Sequence, residues 1–335
     1  MIMNWKNKHI LVTGGAGFIG SHLVEALVEK GAIVTVADNL WRGKIENLKN
    51  DAGVDLIDIE NDFFQVDLCR YESCKRVAEK QDIVFHLADV VAGINYVFGN
   101  ELSLFNSNVL INTNMLHASI ESQVDQFIYV GTACSYPKEK QNKLNMPLLK
   151  EEDVFPANPE SSYGWSKLMG EYECSLALEE NLINVGVLRL HNVYGPKTDF
   201  SPEKSQVIPS LIRKAINYPA EEFIVWGSGE QRRAFIYVDD VIEALILVAE
   251  IGMNQGPIQI GPDYSTSIRE IAETIVAISS KDIPIVYDAS KREGDKDRAA
   301  DWTKAKEILG WSPKTTIKDG LTATYNWIKE KLISL

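Results

Sequence analysis

Short apolar runs rich in β-branched residues alternate with stretches of helical period over the first 190 positions. His9-Ile10-Leu11-Val12 is such a run, and it stops at a glycine-rich turn. From Ser21 to Lys30 the apolar residues Leu23, Val24, Leu27 and Val28 recur at helical spacing. Ile33-Val34-Thr35-Val36-Ala37 predicts the next strand, closed by Asp38. Further strands are expected at Phe63–Val66, Ile83–Leu87, Phe127–Val130 and Val185–Leu190, with helices over 71–80, 101–121 and 161–180. Continuous apolar strands separated by helices mean a parallel sheet covered on both faces. The fold class expected is therefore α/β, a Rossmann-type doubly wound parallel sheet.

After Pro196 the alternation breaks. Residues 196–206 are loop-rich, and Pro209 opens a helix to 217. Short strands at Ile224–Trp226 and Phe235–Val238 precede an apolar helix over 239–251, and a last helix lies near 318–332. The expected division is a domain over 1–190, with a return of about 235–255, and a smaller C-terminal α/β lobe over 191–335. No linker or repeat separates them, so a cleft between packed lobes is expected.

Composition narrows the function. The chain has 335 residues, 45% hydrophobic and 24% charged, with a formal net charge of -13. An acidic balance offers no excess of cations to offset phosphates, so neither a nucleic acid nor a membrane is an expected partner. No apolar run approaches the length of a membrane span. The N-terminal apolar stretch ends in a glycine loop, which reads as a strand and not as a secretory leader. Cys69, Cys74, Cys134 and Cys174 form neither a CxxC pair nor a Cys/His metal spacing. Reduced thiols and a cytoplasmic location are expected. His86, His117 and His191 make no ligand cluster, so no metal site is expected.

Gly14, Gly17 and Gly20 stand directly after the first strand and open the first helix, with Phe18 and Ile19 between them. Glycines there let the backbone approach a pyrophosphate seated on the helix N-terminus. Asp38, ending the second strand, is placed to accept hydrogen bonds from an adenosine ribose and to repel a 2′-phosphate. That favours NAD over NADP. Asp67 has two readings, a contact to the adenine amino group or an N-cap for the helix at 71. Tyr163 and Lys167 are four apart and share a helix face. The ammonium favours a phenolate, which accepts the proton of a substrate hydroxyl. Thr132, at the end of the preceding strand, can hold the same oxygen. Arg233, in a Gly-rich loop beside an aromatic strand, reads as a phosphate fork or as a surface ion pair.

With these motifs the chain resembles the extended short-chain dehydrogenase/reductases, the family of nucleotide-sugar epimerases and dehydratases. The resemblance runs through Asp38-Asn39-Leu40, Glu46-Asn47-Leu48, His86-Leu87-Ala88, Asn192-Val193-Tyr194-Gly195-Pro196 and Gly227-Ser228-Gly229, with Gln231, Arg233 and Phe235. It closes with Leu309-Gly310-Trp311-Ser312-Pro313. It implies an NAD-dependent enzyme with Thr132, Tyr163 and Lys167 as catalytic triad. It implies cofactor contacts from Gly14, Gly17, Phe18, Ile19, Gly20, Asp38, Asn39, Asp67, Leu68, Leu87, Ala88, Asn108, Tyr163, Lys167 and His191. Asn192, Gln206, Arg233 and Arg298 are implied on the nucleotide-sugar substrate. The helices at 101–121 and 161–180 are implied to pair across a two-fold axis in a homodimer.

Cys134 carries finer information. Where the dehydratase branch has an Asp–Glu pair, this chain has Ala133 and Cys134 and so lacks that acid. Thr132-Ala133-Cys134-Ser135-Tyr136-Pro137 is instead similar to the segment of GDP-mannose 3,5-epimerase and GDP-fucose synthase, where the cysteine is an acid/base on ring carbons. The other reading of Cys134 is a small residue in the pocket wall. The partner acid of that branch precedes a Pro-opened helix. Alignment on Pro209 puts Gln206 at its place, and Gln206 cannot give up a proton. Lys204, two residues away, is the remaining candidate. The function expected is an NAD-dependent nucleotide-sugar epimerase working through a transient 4-keto sugar, on a GDP-linked manno-type hexose. The alternatives are a C4 dehydrogenase or C4-epimerase without chemistry at C3 or C5, and a non-catalytic NAD-binding sensor.

Overall fold

The computed structural model describes residues 3–50, 52–91, 93–291 and 294–333. Up to residue 190 the order is β1 (His9–Thr13), α1 (Phe18–Glu29), β2 (Ile33–Asp38), β3 (Phe63–Gln65), α2 (Tyr71–Ala78), β4 (Ile83–His86), α3 (Ile94–Gly99), α4 (Glu101–Glu121), β5 (Gln126–Thr132), α5 (Ser162–Glu179) and β6 (Asn184–Leu190). Then come β7 (Asn192–Tyr194), α6 (Val207–Asn217), β8 (Ile224–Trp226), β9 (Arg232–Arg233), β10 (Phe235–Tyr237) and α7 (Val238–Ile251). β11 (Pro257–Ile260), β12 (Thr266–Ser267), α8 (Ile268–Ser279), β13 (Val286–Asp288), α9 (Thr303–Leu309) and α10 (Ile317–Ile333) complete the chain.

Seven strands form one parallel sheet in the order β11-β6-β5-β4-β1-β2-β3. Strands β1, β2, β4, β5 and β6 are buried on both faces, which is why they read as largely apolar runs. Ile10, Val12, Val36, Phe85, Ile128 and Leu188 enter the core beneath α1 and α7. Their neighbours Leu11, Ala37, Val84, Phe127, Tyr129 and Val187 enter the core beneath α2, α4 and α5. Each of the Val, Leu, Ile and Phe side chains among them, fully buried, is worth about 1.5–3 kcal/mol over leaving it in water. The register levels the strand ends: Thr13 lies opposite Ala37 on one side and His86 on the other. The strand order reverses between β1 and β4, so a crevice opens at their C-terminal ends.

The Rossmann-type sheet is the expected one, with local differences. α1 begins at Phe18, three residues before the periodic stretch, because the chain turns straight from the glycine loop into the helix. α3 has no counterpart among the expected elements. The return to the sheet also differs from the expected 235–255. β10 pairs with β7 outside the main sheet, Phe235 opposite Asn192. α7 packs on α1 and β6, and the seventh strand is β11, paired with β6. β11 is hard to read in sequence because it opens on Pro257 and carries Gln259. A proline is tolerated at the first residue of an edge strand. Gln259 is buried, bonded to Tyr136 Oη and His191 Nε2. No helix among the described residues is long and apolar enough to cross a membrane.

Candidate active site

A cavity of about 790 Å³ lies over the C-terminal ends of β1, β2, β4, β5 and β6, roofed by residues after β6. Its floor at one end is the glycine loop. Gly14 has φ +69°, and a Cβ on Gly20 would run into the Gly14 carbonyl. Only glycine lets the loop lie this close to the start of α1. α1 opens on Gly17 with no side-chain cap, which leaves its first amides for an anion. Phe18 and Ile19 line the same end.

Asp38 is buried at the end of β2 and accepts Ala16 N–H at 3.1 Å and Leu40 N–H at 2.8 Å. Burial raises its carboxyl above the ordinary range, against those backbone bonds. Two acceptor positions of the carboxylate are thereby used and others remain. Asn39 lines the cavity and accepts Trp41 N–H at 2.9 Å. Asp67 and Leu68 also line it. The N-cap reading of Asp67 is set aside: α2 is entered through Arg70 without a side-chain cap, and Asp67 accepts Cys69 N–H instead.

The loop after β4 is held from two sides. Thr13 Oγ1 accepts both Leu87 N–H and Ala88 N–H, each at 3.1 Å, and donates to His86 Nδ1. His86 Nε2–H then donates to Asn112 Oδ1, and burial pushes this imidazole down to about 3, so it stays neutral. Asn108 does not line the cavity as expected. It clamps Val90, accepting its N–H at 2.6 Å and donating to its carbonyl at 3.2 Å, and so fixes the loop from behind.

Thr132 on β5 and Tyr163 and Lys167 on α5 stand on elements that pack against each other. Thr132 ends β5, and its Oγ1 accepts Cys134 N–H at 3.2 Å in the turn that follows. α5 starts at Ser162, with the Ser161 hydroxyl accepting Gly164 N–H. A Cβ on Gly164 would strike the Cys134 carbonyl, so glycine lets α5 pack against this turn. Tyr163 donates to Asp89 Oδ2 at 3.1 Å. Burial, then Asp89 and Cys134, hold the phenol well above its ordinary range. Lys167 is buried beneath, 3.4 Å from the same Asp89 oxygen and over the Tyr129 ring, and its Nζ makes no hydrogen bond among the described residues. Asp89 was not anticipated. Its only sequence signal is its place, directly after His86-Leu87-Ala88.

At the other end, Arg298 reaches Cys134 Sγ with both terminal nitrogens, each at 3.7 Å. It also donates to Gln141 Oε1 at 3.1 Å, Asp295 Oδ2 at 3.2 Å and Asn192 Oδ1 at 3.0 Å. Arg233 lines the cavity nearby. Burial and then Arg298 push its guanidinium down to about 10, against Asp295, Cys134 and Glu160. His191 lines the cavity, bonded to Gln259 through Nε2. Burial and then Arg298 push it down to about 3. Gln206 lines the cavity at the start of α6. Lys204 is not brought to Cys134: its ammonium donates to the Trp41 carbonyl at 2.8 Å and lies over the Trp41 ring. The indole and a carbonyl hold the cation at the β2 side, which removes Lys204 as the acid partner in this arrangement. Among the described residues no group of three or more His, Cys, Asp or Glu is arranged to hold a metal ion.

These groups fit NAD. An uncapped helix N-terminus behind a glycine cradle suits the pyrophosphate. Asp38 suits a ribose, and Lys167 Nζ, buried with donors to spare, suits a second ribose.

Comparisons with known proteins agree. The model of the NAD dependent epimerase/dehydratase family matches residues 10–261. The GDP-mannose 3,5-epimerase 1 of Oryza sativa subsp. indica is 34% identical over 96% of this chain and 82% of its own. A UDP-N-acetyl-alpha-D-glucosaminuronate decarboxylase of Bacillus cytotoxicus is 31% identical over 96% of this chain and 98% of its own. Among solved structures, the UDP-glucose 4-epimerase of Thermotoga maritima with UDP-glucose superposes with a TM-score of 0.85. It is 30% identical and covers 97% of this chain and 99% of that one. The glycine cradle, the Tyr163–Lys167 pair and these likenesses over nearly the full length lead to one assignment: the chain belongs to the NAD-dependent epimerase/dehydratase family.

Proposed function

We propose that the protein is a nucleotide-sugar epimerase that oxidises C4 of a nucleoside-diphosphate hexose transiently and exchanges a proton on a neighbouring ring carbon through Cys134. The observation that carries the reading is the contact of Cys134 Sγ with the Arg298 guanidinium inside the cavity, two residues beyond Thr132. A guanidinium against sulfur complements negative charge there, and a thiolate is the form of cysteine that takes a proton. A GDP-linked manno-type hexose is the first substrate to test, supported by the Thr132–Pro137 segment and the likeness to the rice enzyme.

Bound NAD supplies reversible hydride acceptance at C4. Tyr163 takes the proton of the C4 hydroxyl and later returns it, with the Thr132 hydroxyl on the same oxygen. The C4 ketone acidifies the hydrogens on C3 and C5, and Cys134 removes one. Arg233 and Asn192 meet the diphosphate or its ribose. Arg298, engaged with Asp295, Gln141, Asn192 and the thiol, acts at the sulfur. Lys204 is held on Trp41, and Gln206 in the wall cannot give up a proton, so neither expected position supplies a second acid to Cys134. That favours a second reading, C4 oxidation or C4 epimerisation without exchange at C3 or C5. Incubation with GDP-, UDP- and dTDP-hexoses in deuterated water separates the two.

Asp38 favours the unphosphorylated cofactor. NAD is expected to bind at least about tenfold tighter than NADP, a difference of roughly 1.4 kcal/mol. Equal affinities by calorimetry would remove this role from Asp38.

The protein is expected to be a homodimer through α4 and α5. Trp165, Met169, Tyr172 and Leu176 are spaced four, three and four apart along one face of α5, and all are exposed. Leu102 and Leu110 on α4 are exposed beside them. Such a stripe is covered economically by a second copy across a two-fold axis. Sedimentation at micromolar concentration should give a dimer, and Tyr172→Glu should give monomers. A wild-type monomer would contradict the assignment.

A further inference from the structure

We propose that Gln141 is a positioning residue for the chemistry at Cys134: it ties the turn that carries the thiol to the segment that carries Arg298, and so aims the guanidinium at the sulfur. The proposal deepens the function proposed above and rests on it for what the thiol does to a sugar, not for the link between the three side chains.

Gln141 is 1% exposed and stands behind the cavity wall. Its amide has two sides with different partners. Nε2 donates to the Tyr136 carbonyl at 3.0 Å and to the Pro137 carbonyl at 3.4 Å, two and three residues past Cys134. Oε1 accepts Arg298 Nη1 at 3.1 Å. Carbonyls only accept and a guanidinium only donates, so the amide has one orientation that satisfies all three. The backbone of the Arg298 segment is fixed separately. Lys296 N–H and Asp297 N–H donate to the Gln141 carbonyl at 2.8 and 3.2 Å, and Ala234 N–H donates to the Arg298 carbonyl at 3.0 Å. What the side chain of Gln141 adds is therefore the aim of the guanidinium, and not the course of the chain.

That aim is contested. Asp295 Oδ2 takes Arg298 Nη1 at 3.2 Å, and a carboxylate left alone with it would draw that nitrogen to itself. Gln141 on Nη1 and Asn192 on Nη2 hold the fork from both sides, and its two terminal nitrogens stand level, each 3.7 Å from Cys134 Sγ. A neutral amide does this without cancelling the positive charge, which a carboxylate at position 141 would offset. The other titratable groups around the thiol and its guanidinium are Tyr163 on α5, Arg233 on β9, Glu160 and Asp295. A cation held at sulfur favours the thiolate, the form that takes a proton from carbon. Gln141 reaches the sulfur only through Arg298.

The test is the rate at which iodoacetamide alkylates Cys134 in the NAD-loaded enzyme without sugar, followed against pH by the mass of the peptide that carries Cys134. Arg298→Met should slow alkylation at neutral pH about tenfold or more, and Gln141→Met about threefold or more. Both rates should approach that of the wild type at high pH, where every thiol is ionised. Adding Gln141→Met to Arg298→Met should cost nothing further, because the amide acts through the guanidinium. Gln141→Glu, the closest in shape, should also be slow at neutral pH, and it decides the matter if the methionine variant does not bind NAD. Wild-type alkylation at neutral pH in an NAD-binding Gln141 variant would overturn the proposal. So would a loss equal at every pH, which reports access or folding, or a further loss in the double variant. Because alkylation needs no sugar, the predicted rates in an enzyme that exchanges no ring hydrogen of GDP-mannose leave Gln141 its role and sink the assignment of Cys134 to ring carbons. Ring-hydrogen exchange with unchanged alkylation does the reverse.

Discussion

Replacing Tyr163 by phenylalanine is expected to lower turnover about a hundredfold or more while leaving NAD bound. The ring fills the same space between α5 and the cavity, so packing is kept, and only the hydroxyl that meets Asp89 is removed. On the proposed reading that hydroxyl exchanges the proton of the C4 hydroxyl. The expected loss is the scale of a missing general base. Lys167 remains buried under the site, and the glycine cradle and Asp38 lie on other elements. Cofactor affinity by calorimetry should therefore change little. Near-normal turnover would mean that another group takes the proton.

The second large effect is expected at Cys134. Cys134→Ser keeps the size and the turn, whose anchor is the backbone N–H given to Thr132 Oγ1. It replaces a thiol by a hydroxyl that gives up its proton far less readily. Incorporation of solvent deuterium at C3 or C5 should fall about a hundredfold or more. Transient reduction of bound NAD, followed by absorbance, should persist, because on the proposed reading the C4 step uses Thr132, Tyr163 and Lys167 and not the thiol. Loss of both signals together would place Cys134 in the C4 step or in folding. Retention of both would leave it as a wall of the pocket.

The fold was legible wherever burial on both faces wrote continuous apolar strands, from Ile10-Leu11-Val12 to the run ending at Leu190. The places of the expected cofactor residues were legible because they are fixed by that topology: Gly14, Gly17 and Gly20 after β1, Asp38 at the end of β2. What the sequence did not disclose depends on side chains meeting across the fold. Asp89 is one residue past a recognised motif, and its partners are 74 and 78 positions away in the chain. Arg298 read as a substrate contact, and its reach to Cys134, 164 positions apart, was not visible. Lys204 read as an acid because only its distance along the chain from Gln206 was visible, and not the indole of Trp41 that holds it. Asn108 read as a cofactor contact, and it proved to grip the backbone that carries Asp89. β11 was missed for a related reason: its buried Gln259 looks polar in sequence and is satisfied only by groups far from it in the chain.

On the proposed reading, a proton on a ring carbon next to C4 exchanges with solvent through Cys134. The most direct measurement is incubation of the wild-type enzyme, loaded with NAD, with GDP-mannose in deuterated water, followed by proton NMR of the sugar. The expected result is loss of the C3 or C5 proton signal with deuterium gained at that carbon, the C4 hydrogen retained, and no net accumulation of NADH. A 4-epimer or a 4-keto product formed with every ring hydrogen of C3 and C5 intact would contradict the claim.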